Sequence, residues 1–367
     1  MMRLVIAAGG TGGHLYPAIA LAREFLRQDP STAIRFVGTQ RGIEVKVLPH
    51  EGFDLTTITA LPVMGLGVGQ ALVALLSLPK GIRQSLGILK GFRADLVMGI
   101  GGYTTPPVLL AAALMRVPRV ILEPNAYPGK ANTMLGPWVD RVFVAFEAAA
   151  RHFKTSKVRV VGVPVRRAFL DSGKPDQAAD PGRTLLVFGG SRGAHAINLA
   201  MTGALPLLMQ DPAIRTRLTV IHQTGETDYG QVVSAYQAAG IRADVVPFLF
   251  DMPAAFRSAD LVVSRAGAMT LAELTVCGKP AVLIPFPHAI YQHQAHNARV
   301  LEAAGAAVVV PQHDLTGARL AQTVGSLLRD PEQLRVMGER SRSLGKTDAA
   351  EAIVRECMAL GKQESRG

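Results

Sequence analysis

The chain has 367 residues, more than one hydrophobic core comfortably serves, and this points to two domains of ordinary size. With 49% hydrophobic and 18% charged residues and no low-complexity tract, wholesale disorder is excluded. The formal charge of +11 lies mostly in the first half: residues 1–163 hold 18 basic and 9 acidic side chains, a net of +9, whereas residues 164–367 hold 21 and 19, a net of +2.

Met1-Met2-Arg3-Leu4-Val5-Ile6-Ala7-Ala8 runs straight into Gly9-Gly10, so the opening apolar stretch is too short for a signal peptide and reads as a first strand. Thr11-Gly12-Gly13-His14 follows, and then the Ala- and Leu-rich segment Leu15 to Arg27 reads as a helix. Further strands are expected at Ile34–Gly38, Leu96–Ile100, Val120–Glu123 and Val142–Phe146. Between Asp54 and Asp95 no acidic residue occurs, and Leu61 to Phe92 mixes many leucines with Lys80, Arg83, Lys90 and, just beyond, Arg93. An apolar surface ringed by cations is what an anionic membrane face binds, although the buried faces of two helices with solvated ends would give the same pattern. Pro62, Gly65, Gly67, Gly69 and Pro79 interrupt the apolar run and argue against a spanning helix. Nucleic acid ranks below membrane as a partner, since no zinc finger, aromatic RNA-binding signature or long Lys/Arg run is present.

The second half opens with the same device. Thr184 to Gly190 is an apolar strand ending in glycines, followed by Ser191-Arg192-Gly193-Ala194-His195 and a helical segment from Ala196 to Met201. Strands are expected again at Leu218–His222, Val245–Phe248, Leu261–Ser264, Ala281–Pro285 and Val308–Pro311. Their near-continuous hydrophobicity is that of parallel strands covered on both faces. The expected architecture is therefore α/β, two doubly wound Rossmann-like domains facing each other across a cleft. Residues 1–163 would form the first, with a carboxyl-terminal helix within about 346–367 packing back onto it, and residues 164–345 the second. Cys277 and Cys357 are the only cysteines, too few and too scattered for a disulfide framework or a cysteine-based zinc site, so a reducing, cytoplasmic setting is expected.

A glycine-rich turn between strand and helix lets backbone N–H groups approach a phosphate, and the helix dipole favours its charge. Many such turns merely reverse the chain, so their surroundings must discriminate. Gly10-Thr11-Gly12 has Leu15 where a dinucleotide site wants its third glycine, and the second strand ends at Val37-Gly38-Thr39-Gln40 without a carboxylate. A Walker A lysine and an Asp-x-Asp metal pair are also missing. No metal or other cofactor is expected, which leaves cationic side chains and helix N-termini to hold a diphosphate. Pro247-Phe248-Leu249-Phe250 could stack a ring on a base, and Glu273, in Arg265-Ala266-Gly267-Ala268-Met269-Thr270-Leu271-Ala272-Glu273, could accept from both hydroxyls of a ribose. A solvated helix carboxylate is the competing reading of Glu273. Pro285-Phe286-Pro287-His288 and His293-Gln294 offer donors and acceptors suited to sugar hydroxyls.

Taken in order, Gly9 to His14, Gly99-Ile100-Gly101-Gly102-Tyr103, Pro164-Val165-Arg166, Gly189-Gly190-Ser191, Arg265 to Glu273, and His293-Gln294 with Asn297 resemble the MurG family of peptidoglycan N-acetylglucosaminyltransferases, over nearly the whole chain. The resemblance implies the GT-B fold and inverting transfer of N-acetylglucosamine from UDP-N-acetylglucosamine (UDP-GlcNAc) to the C4 hydroxyl of undecaprenyl-diphosphate-linked muramyl-pentapeptide. Such a protein would be peripheral on the cytoplasmic face of the bacterial membrane. Carried residue by residue, the resemblance gives Leu249 to uracil beside Phe248, Glu273 to the ribose within Ala268 to Glu273, Ser191 and Arg166 to the diphosphate, and Gln294 to the sugar hydroxyls. Thr11, Gly12, Gly13 and Asn125 would lie across the cleft near the transferred sugar, and Gly102 and Tyr103 toward the acceptor. His14 is the candidate base, because an imidazole at a helix N-terminus stays neutral near physiological pH, with a structural or diphosphate-binding role as its rival.

Three motifs depart from the family pattern. Its His-Glu-Gln-Asn stands here as Leu122-Glu123-Pro124-Asn125, its Asn-Pro-Val-Arg as Val163-Pro164-Val165-Arg166, and its Gly-Leu-Arg-Gly as Gly65-Leu66-Gly67-Val68. Donor residues thus match better than acceptor residues. The alternatives are a UDP-sugar transferase for another lipid or small acceptor and a UDP-GlcNAc 2-epimerase; the latter would turn over donor without any acceptor. A non-catalytic nucleotide-sugar sensor would need fewer glycine turns.

Overall fold

A computed structural model describes residues 1–10, 12–61, 68–171, 183–190 and 193–364. Two compact units result, one of residues 1–166 and 346–367 and the other of residues 167–345.

The first unit is built on seven parallel strands: β1 (Arg3–Ala7), β2 (Ala33–Gly38), β3 (Leu55–Thr57), β4 (Leu96–Gly99), β5 (Arg119–Glu123), β6 (Arg141–Val144) and β7 (Val158–Val160). They are ordered β3-β2-β1-β4-β5-β6-β7. Side chains alternate between faces, as strand geometry requires. Leu4 and Ile6 pack with Phe25, Phe36 and the carboxyl-terminal helix residues Ile353, Val354 and Cys357. Val5 and Ala7 face the other way, toward Leu89, Leu109 and Val142. Each such fully buried Leu, Ile or Phe contributes about 1.5–3 kcal/mol. Arg3 fixes the bottom of the sheet, donating its backbone N–H (2.8 Å) and its guanidinium (2.9 Å) to Asp95, just before β4.

Within the acid-free segment, Val68–Phe92 forms one helix, which contains Pro79. Apolar packing holds the helix despite the missing donor, for Leu89 is fully buried and Gln84 accepts from Thr59 N–H at 2.7 Å. The Gly65-Leu66-Gly67 turn lies outside the described residues.

In the second unit the strands are β8 (Arg183–Phe188), β9 (Leu218–Gln223), β10 (Arg242–Val246), β11 (Leu261–Ser264), β12 (Ala281–Leu283) and β13 (Ala307–Val309). Their order, β10-β9-β8-β11-β12-β13, repeats the arrangement around β1, again all parallel. Asp211, Asp251, Thr316 and Asp330 cap helices of this unit with their side chains. In both sheets the chain winds outward from the first strand one way and then returns to wind the other way. The crevice at such a reversal, beyond the carboxyl ends of the two central strands, is where open α/β sheets bind ligands.

Candidate functional site

In the first unit the reversal lies between β1 and β4. β1 leads through Gly9 and Gly10 (φ +91°) toward the helix Gly12–Gln28, while β4 leads through Gly101 (φ +109°) and Gly102 (φ +76°) to the helix Thr105–Leu114. Glycine is needed at the second turn for space as well as for its backbone angle. A Cβ on Gly101 would sit 3.0 Å from His14 Nε2, and one on Gly102 would sit 2.9 Å from the carbonyl oxygen of Gly9. The half-buried His14 imidazole is thus seated against the Gly101–Gly102 backbone. Tyr103 reaches the other turn, where a Cβ on Gly10 would lie 3.1 Å from its ring.

Glu123 ends β5 fully inside the protein. It accepts from Asn125 N–H (3.0 Å) and Nδ2 (3.1 Å), from Gly129 N–H (3.0 Å) and from Asn132 Nδ2 (2.9 Å). Burial pushes its carboxyl above the ordinary range, and these hydrogen bonds oppose that rise. Asn132 Nδ2 in turn would lie 3.5 Å from a Cβ on Gly101, so β5 and its loop join the same cluster. His14, Gly12, Gly13, Gly102, Tyr103 and Asn125 therefore come from three turns at the carboxyl edge of one sheet. Arg166 also belongs to this unit, its guanidinium 5.8 Å from the centre of the Tyr16 ring. Thr11 lies outside the described residues.

The sequence reading missed Glu44. No carboxylate ends β2, yet Glu44, at the start of the helix Glu44–His50, folds back into that place and is fully buried. It accepts from Gly10 N–H (3.1 Å), Thr39 N–H (2.9 Å) and Thr39 Oγ1 (3.1 Å). Its oxygens serve the protein's own turns, so it shapes the phosphate-type turn and does not read a ribose. Its only sequence signal is an acidic residue in a first helical turn, a feature common to many helices.

In the second unit the reversal lies between β8 and β11. β8 enters a glycine turn of Gly189, Gly190 (φ +104°) and Gly193 (φ +74°), followed by the helix His195–Leu208, whose N-cap residue, Ala194, has no side chain to cap it. Ser191 lies outside the described residues. Gln223, buried at the end of β9, accepts from Leu249 N–H (2.8 Å) and donates to the Gly190 carbonyl (2.8 Å). It ties the Phe248–Phe250 loop to the glycine turn, a second residue that the sequence did not reveal. The Leu249 N–H is thereby engaged within the protein. Phe248 and Phe250 present their rings to solvent, 5.0 Å apart and edge-on.

The helix Ala268–Cys277 follows β11, and along it Ala268, Met269, Leu271, Ala272 and Glu273 are buried while Thr270 is half-buried. Glu273 is only 8% exposed, which removes the reading of it as a solvated helix carboxylate. Gln294 Oε1 accepts from Ala266 N–H (3.2 Å) and Phe286 N–H (2.9 Å), joining the turns after β11 and β12, so its Nε2 would make any bond to a sugar. A cavity of 540 Å³ lies here, lined by Gly189, Gly193, His195, Arg265, Gln294 and Gln312, among others. Burial lowers the Arg265 guanidinium to about 10, and its Nη1 donates to Ile284 O at 3.2 Å. A three-residue cluster of His, Cys, Asp or Glu that could hold a metal does not occur among the described residues.

Two family models match in tandem: the glycosyltransferase family 28 N-terminal domain over residues 4–144, and the C-terminal domain of the same family over residues 184–353. The chain belongs to glycosyltransferase family 28. Among its relatives is the "UDP-N-acetylglucosamine--N-acetylmuramyl-(pentapeptide) pyrophosphoryl-undecaprenol N-acetylglucosamine transferase" of Syntrophus aciditrophicus, 47% identical over 98% of this chain and 99% of the relative. A crystal structure of Acinetobacter baumannii MurG superposes with a TM-score of 0.83 at 30% identity, covering 98% of this chain and 100% of that one. The two parallel sheets of this family 28 chain are those of the GT-B fold. Neisseria meningitidis UDP-GlcNAc 2-epimerase also superposes, with a TM-score of 0.66 over 97% of this chain and 99% of that one, and at 17% identity it shares the fold alone.

Proposed function

We propose that this chain transfers N-acetylglucosamine from UDP-GlcNAc to the C4 hydroxyl of the muramyl sugar in undecaprenyl-diphosphate-linked muramyl-pentapeptide, forming lipid II with inversion at the anomeric carbon. The observation that carries this reading is the nearly end-to-end match to a relative named for that transfer, in which both family 28 domains are present. In the reaction the acceptor O4 attacks C1 of the donor sugar, the bond from C1 to the UDP oxygen breaks, and the hydroxyl proton passes to a base. His14, seated on the Gly101–Gly102 turn, is that base. The second unit binds the donor: Phe248 and the Leu249 backbone meet the uracil, Glu273 the ribose hydroxyls, the turn ending at Gly193 and the uncapped helix after it the diphosphate, and Gln294 Nε2 the sugar. Fixed dipoles and cationic side chains stabilise the departing UDP.

The membrane surface is the third partner. Lys80, Arg83, Lys90 and Arg93 are exposed at and just beyond the helix Val68–Phe92. Leu76, Leu114, Met134 and Trp138, each at least 65% exposed, come from this helix and from elements that pack against one another beside it. Exposed apolar side chains and cations on neighbouring elements suit binding to an anionic lipid face, here the cytoplasmic one where the lipid-linked acceptor is found. Among the described residues no helix is long and apolar enough to cross a membrane.

Turnover tests the transfer. UDP release should require both UDP-GlcNAc and the lipid-linked acceptor, with His14→Gln lowering kcat at least a hundredfold and Glu273→Ala raising the donor KM. Loss of UDP-GlcNAc without acceptor, with epimerised sugar as product, would establish the epimerase instead.

A further inference from the structure

Asp228 directly precedes the helix Tyr229–Ala239 and occupies its N-cap, yet its side chain does not cap that helix. It turns instead toward the start of the helix His195–Leu208. There both carboxylate oxygens lie 3.0 Å from His195 Nδ1, and Asn198 Nδ2 donates to Oδ2 at 2.7 Å. Asn198 has a fixed orientation, because its Nδ2 also donates to the Thr224 carbonyl at 2.9 Å, so its Oδ1 accepts from His222 Nε2 at 3.1 Å. His222 Nδ1 then accepts from Tyr236 Oη, also at 3.1 Å. A buried chain of side chains therefore holds Asp228, and Asp228 holds an imidazole that is 66% exposed. With Nδ1 on the carboxylate, Nε2 is the nitrogen presented outward, where His195 lines the 540 Å³ cavity with Gly189, Gly193 and Arg265. Gln312 lines the same cavity, and its Oε1 is buried without a hydrogen-bond partner among the described residues, an acceptor in want of a polar ligand.

We infer that His195, oriented by Asp228, binds the donor's diphosphate directly, donating from Nε2 to a non-bridging oxygen and doing so as the imidazolium. This rests on the reading of the second unit as the UDP-GlcNAc site. A neutral imidazole that donates from Nδ1 to Asp228 has only a lone pair at Nε2, which would repel a phosphate oxygen. Binding the anion therefore requires a proton on both nitrogens, the one on Nδ1 donated to the Asp228 carboxylate. Asp228 is the positioning residue. Among the described residues, the charged groups that hydrogen bonding and the shared cavity bring to the imidazole are Asp228 at 3.0 Å and Arg265 across the cavity, while His222, linked through Asn198, is held neutral by burial, its pKa lowered to about 4. The binding proton is then taken up at His195.

Isothermal titration calorimetry with UDP-GlcNAc tests this, because both of its phosphates stay ionised between pH 6 and 8.5 and uridine serves as a phosphate-free control. Wild-type protein should take up protons on binding the donor, read from two buffers of different ionisation heat, and its affinity should fall as pH rises. His195→Ala should bind UDP-GlcNAc about tenfold more weakly at pH 6 with no proton uptake, and His195→Arg should keep the affinity but lose the pH dependence. Uridine affinity should be the same in all three proteins. Equal UDP-GlcNAc affinity and equal proton uptake in wild type and His195→Ala would overturn the role of His195 while leaving the donor site standing. Failure of the wild type to bind UDP-GlcNAc would overturn the donor-site reading itself.

Discussion

His222 and Glu44 are polar side chains that the fold has taken out of water, and each carries a measurable consequence. Burial lowers the His222 imidazole from 6.5 to about 4. The unfolded chain binds a proton near 6.5 and the folded chain resists it until about 4, so stability present above pH 6.5 is lost as pH falls through that window. At about 1.4 kcal/mol per pH unit, the loss is on the order of 3 kcal/mol. Protection factors of the β8 and β9 amides, which divide out the intrinsic rate, should therefore be markedly lower at pH 4.5 than at pH 7, and His222→Gln should flatten that dependence; an unchanged dependence in the variant would contradict the assignment. Glu44→Ala leaves Gly10 N–H and the Thr39 N–H and hydroxyl without their buried acceptor. The expected cost is about 2–4 kcal/mol of stability in the first unit, with kcat reduced because the turn before His14 loses its anchor. Chemical denaturation and steady-state kinetics on the same variant check both effects.

At the scale of elements, the glycine turns are the sharpest prediction. A Cβ on Gly193 would fall 1.8 Å from the Thr224 carbonyl oxygen, in addition to the strain of φ +74°, whereas a Cβ on Gly190 meets nothing within 4 Å and bears only the strain of φ +104°. Gly193→Ala should thus abolish measurable UDP-GlcNAc binding by displacing the turn, while Gly190→Ala should cost about 1–3 kcal/mol and retain binding. Calorimetric titration of the two variants separates these outcomes, and equal behaviour would contradict the geometry. The same turns were legible in the sequence because an apolar strand running into glycines and then a helix is a local pattern, and the two copies of it mark the reversal points of the two sheets. The strands β3 and β7 were not legible. Each is three residues long, lies at an edge of the sheet and carries no buried residue, so hydrophobic periodicity has nothing to register. The long helix through Pro79 was also hidden, since its apolar packing outweighs a local breaker. Glu44 and Gln223 escaped for a different reason: each acts on turns that are distant in sequence, and only the folded sheet brings them together.

For the molecule as a whole, charge asymmetry and family membership point the same way. The first half carries a net of +9 and the second +2, so an anionic surface should attract the first unit. Pelleting with anionic vesicles should be strong at low salt, weaker at physiological salt and negligible with neutral vesicles, and reversing Lys80 and Arg83 to Glu should reduce it several-fold; equal recovery with neutral vesicles would contradict an electrostatic contribution. Transfer of one sugar onto one lipid-linked acceptor is read in its product. Purified protein given UDP-GlcNAc and the undecaprenyl-diphosphate-linked muramyl-pentapeptide should yield a disaccharide whose new linkage, read by NMR, is β and joined at C4, with one UDP released per linkage. A product with α configuration, or UDP release that leaves the acceptor unmodified, would contradict it.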